Sequence, residues 1–252
     1  FPWQGGFAID TGRPFFPADI ADALKRLPAP RVLITTPLHL RACVSAGITW
    51  PELSFIISAT APLSKELASQ AEQQFGAEIF EIYGSTETGS VAGRRTVDDP
   101  LWQLYNGMHL NQDRDRFVIQ GGHLRKGVKL NDRLRIDSTT RFELIGRDSD
   151  MVKIAGKRAS LADLNRHLLG IPGVDDGLFL APEENKENAR LSALVVAPTL
   201  TEQQILQSLA HCIDPVFLPR PVHRVEHLPR NETGQLPAAA LKRLLESLGT
   251  GT

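Results

Sequence analysis

The stretch Phe80-Glu81-Ile82-Tyr83-Gly84-Ser85-Thr86-Glu87-Thr88-Gly89 decides how the rest of the chain is read. It continues an apolar, strand-like pair, Ile79-Phe80, and from Tyr83 to Gly89 gathers an aromatic, two glycines, three hydroxyls and an acid within a few positions. Gly84 permits a sharp turn or a close backbone approach to a ligand. Ser85, Thr86 and Thr88 offer hydroxyl donors, and Glu87 offers a hard oxygen of the kind Mg²⁺ prefers. Tyr83 presents a flat face to a planar ring. A polar turn between a strand and a helix is the plainer reading of the same residues.

Upstream, short apolar runs alternate with helical segments. Pro14-Phe15-Phe16-Pro17 opens a helix from Ala18 to Leu27, Arg31 to Thr36 reads as a buried strand, and Thr36-Pro37 starts a helix from Leu38 to Ala46. Leu53 to Ser58 is the next strand. Ala59-Thr60-Ala61-Pro62-Leu63 follows it, and Ser64 caps a helix from Lys65 to Phe75 that Gly76 stops before a strand at Glu78 to Phe80. Alternation at this spacing implies a parallel sheet in an α/β layer architecture, with ligands at the carboxyl ends of the strands. Ala59–Leu63 and Tyr83–Glu87 both fall at such ends, on one rim.

Downstream the texture changes. From Asp99 to Arg147, short alternating runs separated by Gly, Asn and Asp clusters predict antiparallel β structure, a small distorted barrel or meander. Beyond Arg147 the pattern is that of an α+β unit. It has strands at Met151–Ile154, Asp176–Leu180 and Arg190–Val196, an extended Pro219–Val225, and helices at Ser160–Leu169, Thr201–Ile213 and Ala238–Leu248. A domain boundary near Gly146–Asp150 follows, dividing the chain into 1–147 and 148–252.

The 252 residues are 42% hydrophobic and 23% charged with a net charge of −1, which gives no electrostatic case for nucleic acid or a membrane surface. No apolar run approaches the ~20 residues of a membrane span, and the first residues have neither the basic head nor the apolar core of a signal peptide. The absence of an initiator Met makes a fragment the expected status of the chain. Cys43 and Cys212 are expected to be buried free thiols of a cytoplasmic protein, a disulfide between them having no support in their spacing. His223 and His227 have a metal-like spacing only on a helix, whereas Val222-His223-Arg224-Val225 alternates like a strand, so metal binding there is not expected.

Four motifs, in order, resemble those of the AMP-forming acid ligases, the superfamily of acyl-CoA synthetases, adenylation domains and luciferases. Ser58-Ala59-Thr60-Ala61-Pro62-Leu63 is similar to the small-residue-Ala-Pro-Leu motif, and Tyr83-Gly84-Ser85-Thr86-Glu87 to Tyr-Gly-x-Thr-Glu. Gly146-Arg147-Asp148-Ser149-Asp150-Met151-Val152-Lys153-Ile154-Ala155-Gly156-Lys157-Arg158 looks like Gly-Arg-x-Asp-x-x-x-Lys-x-x-Gly-x-Arg. Leu228-Pro229-Arg230-Asn231-Glu232-Thr233-Gly234-Gln235-Leu236 resembles Leu-Pro-Arg/Lys-Thr-x-x-Gly-Lys-Leu. Between the second and third, Leu130-Asn131-Asp132 stands where the family has Thr-Gly-Asp. The run from Lys153 to Asn165 looks most like ligases of aryl-polyene-type pigment clusters.

The resemblance implies the rest of a large adenylate-forming domain followed by a small mobile α+β domain. It implies activation of an aryl or fatty acid with Mg·ATP as an acyl-adenylate, then transfer to the thiol of CoA or of an acyl carrier protein's phosphopantetheine. It assigns Ala59, Thr60, Ala61, Pro62, Tyr83, Gly84 and Ser85 to the nucleotide, Asp132 to the ribose hydroxyls and Arg147 to ribose or phosphate. Thr86 would bind phosphate or carboxylate oxygens, Glu87 would hold Mg²⁺, and Lys153 would face the thioester-forming step. Two departures stand out. The family's catalytic lysine falls at Gln235, which donates hydrogen bonds but carries no charge, and Ser149 replaces the hinge residue. The family's Gly/Ser/Thr-rich phosphate loop has no counterpart in the sequence. An adenylate-fold protein that binds nucleotide or a carrier partner without efficient catalysis is the alternative.

Overall fold

Three apolar strands, β1 (Val32–Thr35), β2 (Phe55–Ser58) and β3 (Glu78–Ser85), pair in parallel and in sequence order. The structure is a computed structural model, and it describes residues 6, 8–12, 14–113, 116–147, 150–182, 190–231 and 234–249. Helices α1 (Pro17–Arg26), α2 (Pro37–Ser45) and α3 (Lys65–Phe75) lie within one residue of the expected bounds. Their ends are set locally. The Thr36 hydroxyl accepts from the His39 N–H ahead of Pro37, the Ser64 hydroxyl accepts from the Leu67 N–H, and Gly76 stops α3 in the left-handed region at φ 63°. All three helices cover the same face of the sheet, where Ile20, Leu24, Leu40, Cys43, Leu67 and Phe75 form one cluster with Leu33, Ile56 and Ile79.

After β3 the chain turns to antiparallel β structure, as expected, but most of these strands lengthen the first sheet and only part forms a meander. β3 turns back at Thr86–Thr88 into the antiparallel β4 (Gly89–Arg94), so the opening stretch is a hairpin and not a strand-to-helix turn. β5 (Trp102–Leu104), β10 (Arg141–Arg147) and β9 (Asp132–Ile136) then extend the same sheet to seven strands in the order β1-β2-β3-β4-β5-β10-β9. Only β6 (Met108–Asp113), β7 (Arg116–Gly121) and β8 (Val128–Lys129) form the separate meander. Both pieces share one core, in which Trp102, Leu104 and Phe142 meet Met108, Phe117 and Ile119.

The C-terminal part begins with the hairpin of β11 (Met151–Ile154) and β12 (Lys157–Ser160), closed by Ala155 and Gly156, both at positive φ. Two left-handed residues are what a tight two-residue hairpin requires. Helix α4 (Leu161–Leu169) and α5 (Glu202–Ala210) pack on a three-stranded sheet of β13 (Asp176–Leu180), β14 (Ser192–Val196) and β15 (Val222–Arg224). A full capping box between Thr201 and Gln204 opens α5. Helix α6 (Ala238–Ser247) lays Leu241, Leu244 and Leu245 against Leu194, Val196 and Leu228.

Cys43 is buried, as expected, and burial pushes its thiol up to about 11. Cys212 is exposed, contrary to expectation, because α5 ends at Ala210 and does not run on to Ile213. His223 lies on strand β15, as its alternation indicates. Among the described residues no helix is long and apolar enough to cross a membrane.

Candidate functional site

The site is built on the carboxyl ends of β2 and β3. β2 delivers the loop Ala59-Thr60-Ala61-Pro62, in which Thr60 holds φ 77°. A β-branched residue rarely adopts that region, so the surrounding structure must fix it. Neighbouring strands hold both ends of the loop: the Ala59 N–H donates to the Thr35 carbonyl at 3.1 Å, and the Leu63 N–H donates to Glu81 Oε1 at 2.9 Å. Glu81 points to the same side as Ile79 and is only 3% exposed. Its other oxygen, Oε2, accepts from Arg94 Nε at 2.8 Å and from the Thr96 hydroxyl at 2.9 Å. The expectation of a common rim is therefore met through a buried carboxylate that the motif comparison left out.

Tyr83, two residues on, is half-buried against Trp102 and Phe142, each at a ring-centroid distance of 5.5 Å. Its hydroxyl donates to Asp132 Oδ2 at 2.6 Å. Asp132 opens β9 and stands opposite Arg147 in the β9–β10 register. Tyr83 on the interior strand β3 and Asp132 on the edge strand β9, four places apart in the strand order, are thus brought into contact, with the Arg147 backbone opposite Asp132. The side chain of Arg147 and residues Asp148 and Ser149 lie outside the described residues.

Gly84 serves the hairpin. An added Cβ would lie 2.0 Å from the Gly89 carbonyl oxygen, so the close approach is to the partner strand. The turn is tied internally: the Ser85 N–H donates to Thr88 Oγ1 at 2.9 Å, and the Thr88 hydroxyl donates to the Gly89 carbonyl at 2.8 Å. His123 from the meander reaches the Thr88 carbonyl with Nε2 at 2.7 Å. Ser85 is thereby engaged within the turn, while Thr86 and Glu87 stand exposed at its tip. Among the described residues no cluster of three or more His, Cys, Asp or Glu has metal-site geometry. Glu87 can supply one carboxylate, which suits Mg²⁺ because that ion takes one or two carboxylates and completes its shell with substrate phosphates and water.

The C-terminal part approaches the rim from the other side. A cavity of about 350 Å³ has Thr60, Ala61 and Pro62 on one wall and Phe179, Arg230 and Gly234 on the other. Arg230 forks onto Asp176, Nε to Oδ2 at 2.6 Å and Nη2 to Oδ1 at 2.8 Å, and its Nη1 donates to the Gly234 carbonyl at 2.9 Å. Gly234, at φ 76°, brings its backbone to Thr36 at the start of α2, where a Cβ would meet Oγ1 at 3.5 Å. Gln235 follows with an exposed side chain, its N–H donating to Asn231 Oδ1 at 2.8 Å. Arg41 also lines the cavity and points Nη1 at the Val174 carbonyl, 3.4 Å away. Burial lowers its pKa against the raising pull of Asp176 and Asp175. Lys153 lies elsewhere, exposed on β11 opposite Arg158. Of the two positions expected to act from the C-terminal part, the structure brings the loop of Gln235 to the Thr60–Pro62 rim and leaves Lys153 off it.

No protein-family model matches the chain. Among curated proteins, it is 24% identical over 183 residues to acetyl-coenzyme A synthetase of Mycolicibacterium smegmatis, covering 68% of this chain and 18% of that protein. It is 22% identical over 223 residues to oxalate–CoA ligase of Arabidopsis thaliana, covering 74% of this chain and 43% of that protein. The fold superimposes on the crystal structure of the anthranilate CoA ligase AuaEII in complex with anthranoyl-AMP with a TM-score of 0.79 at 17% identity, over 98% of this chain and 55% of that one. The chain thus spans about half the length of the solved relative and less than half of the curated ones. Its curated homologues are acyl- and aryl-CoA ligases and its structural neighbours adenylate-forming ligases, and the chain is accordingly a relative of the AMP-forming acid ligases.

Proposed function

We propose that this chain takes part in the ATP-dependent activation of an aryl or fatty acid as an acyl-adenylate, and in its transfer to the thiol of CoA or of an acyl carrier protein's phosphopantetheine. The observation that carries the reading is the Tyr83–Asp132 hydrogen bond, which joins two motif positions 49 residues apart, with Arg147 in register opposite Asp132. In this reading the Ala59–Pro62 backbone faces the adenine edge and Tyr83 lies beside the ring. Asp132 takes the ribose hydroxyls, and Arg147 takes ribose or phosphate as a fork donor. Thr86 binds an oxygen of the phosphate or the acid. Glu87 would hold Mg²⁺, which neutralises phosphate charge. Lys153 and Gly156 belong to the thioester-forming arrangement. Residues 1–147 and 148–252 act as two units about the hinge at Ser149, in the cytoplasm.

The test is pyrophosphate release by the protein as its source cell makes it, given Mg·ATP and a panel of aryl and fatty acids. Release with at least one acid is expected. Silence across the panel would favour a second reading, supported by the neutral Gln235, in which the fold binds nucleotide or a carrier partner without turning it over. The 252-residue chain alone is expected to bind ATP weakly, since it lacks the backbone donors of a phosphate loop. Micromolar affinity by calorimetry would show that the residues present suffice.

A further inference from the structure

Thr88, only 2% exposed, is the hub of the turn that carries Thr86 and Glu87. Its hydroxyl accepts from the Ser85 N–H at 2.9 Å, and its own N–H donates to the Ser85 hydroxyl at 3.3 Å. Its carbonyl is taken from outside the hairpin, by His123 Nε2 at 2.7 Å, 35 residues later. A carbonyl only accepts, so Nε2 is a nitrogen that carries a proton. The approach of His123 is built into the backbone. β7 ends at Gly121, and Gly121 and Gly122 hold φ 89° and 52°. An added Cβ on Gly121 would lie 2.2 Å from the Gly107 carbonyl oxygen, and one on Gly122 2.4 Å from Met108 Sδ. The Gly122 N–H donates to the Gly107 carbonyl at 2.8 Å, and Leu124, just past His123, packs on the core that also holds Tyr83. On the receiving side, a Cβ on Gly89 would lie 3.3 Å from His123 Nε2.

We propose that His123 is a positioning residue for the Thr86–Glu87 tip, through which the β6–β8 meander sets how well the tip meets the Mg²⁺-bound phosphates of a nucleotide. Hydrogen bonds inside a turn fix its shape. They leave it free to pivot on the two strands below it, and a bond from a separate element removes that freedom. Direction matters here because contacts to phosphate oxygens and to a metal tolerate only a fraction of an ångström of misplacement. His123 lies outside all four motifs. Its ring is exposed, so water competes for the bond, and the effect expected is that of one net hydrogen bond, about three- to tenfold. The proposal rests on the ligase reading for the ligand, but not on turnover.

Two substitutions test it, in the protein as its source cell makes it. His123→Ala removes the donor. His123→Gln keeps one, because the Gln side-chain nitrogen lies as many bonds from Cβ as Nε2 does. In the alanine variant, hydrogen exchange at the Ser85 and Thr88 amides is expected to be about three- to tenfold faster, and Mg·ATP affinity by calorimetry lower by a similar factor. The glutamine variant should restore both. Adenosine, which in the ligase reading meets only Ala59–Pro62, Tyr83 and Asp132, should compete equally well in all three proteins. Unchanged exchange would overturn the proposal, as would faster exchange with unchanged Mg·ATP affinity. Equal losses for Mg·ATP and adenosine would also overturn it, since His123 would then support the fold at large. A glutamine variant as weak as the alanine one would remove the donor role. Pyrophosphate release on the same samples keeps the two readings apart. The expected pattern without release leaves His123 its role and removes the ligase reading, and release without the pattern does the reverse.

Discussion

Replacing Glu81 by Ala is expected to cost the fold about 3–5 kcal/mol, the range seen when one partner of a buried ion pair is removed. The carboxylate is 3% exposed, and it satisfies three donors at once: the Leu63 N–H, the Arg94 guanidinium and the Thr96 hydroxyl. After truncation Arg94 keeps the Pro100 carbonyl at 2.8 Å and the face of Trp102 at 4.4 Å, but it loses the carboxylate that pairs with its charge. The Leu63 N–H loses its acceptor, and with it the loop that holds Thr60 at φ 77° loses one of its two anchors. Since domains are stable by only about 5–15 kcal/mol, such a loss would take a large share of the margin. Glu81→Gln, which keeps an acceptor for Leu63 but loses the charge, should cost less, about 1–3 kcal/mol. Urea midpoints for the three proteins measure both values. A loss below about 1 kcal/mol for the alanine variant, the size of an average substitution, would mean that Glu81 does not hold the rim together.

Changing Gln235 to Lys should raise the rate of adenylate formation, by up to about 10²–10³-fold if residue 235 supplies the charge that balances the developing negative oxygen. Gln235 already has an exposed side chain on a loop fixed by its backbone, so the longer cation needs no repacking. Pyrophosphate exchange with wild-type and variant protein reads the change. An unchanged or lower rate would show that another group provides the cation or that the lysine position lies elsewhere.

Much of this molecule was legible because its element ends are written in single residues. Thr36-Pro37, Ser64, Gly76 and Thr201 each terminate or cap a helix through a local contact, and those bounds follow from the sequence with little error. Strand partnership is a different matter. Arg133–Ile136 and Arg141–Ile145 alternate in the same way whether they close a barrel or lengthen an existing sheet. The choice rests on contacts such as Phe142 opposite Trp102, 40 positions away. Glu81 was missed for the same reason. An acid between Phe80 and Ile82 reads as a solvated strand residue until Arg94, 13 residues later, is seen to fold back on it. The signal that would have found it was the period of two, which puts Glu81 on the face of Ile79. Cys212 was misplaced because apolar Ile213 prolonged the helical pattern past the true end of α5.

The fork between Arg230 and Asp176 has a consequence of its own. The hydrogen bonds from Arg230 to Asp176 and to the Gly234 carbonyl, and from Gln235 to Asn231, start and finish within the C-terminal part. Arg230, Gly234 and Gln235 are therefore cargo: any swing of that part would carry residue 235 with it and change its reach from the Thr60–Pro62 rim. A pair of spectroscopic labels, one on the loop and one at the start of α2, would turn that reach into a gauge of how open the cleft stands.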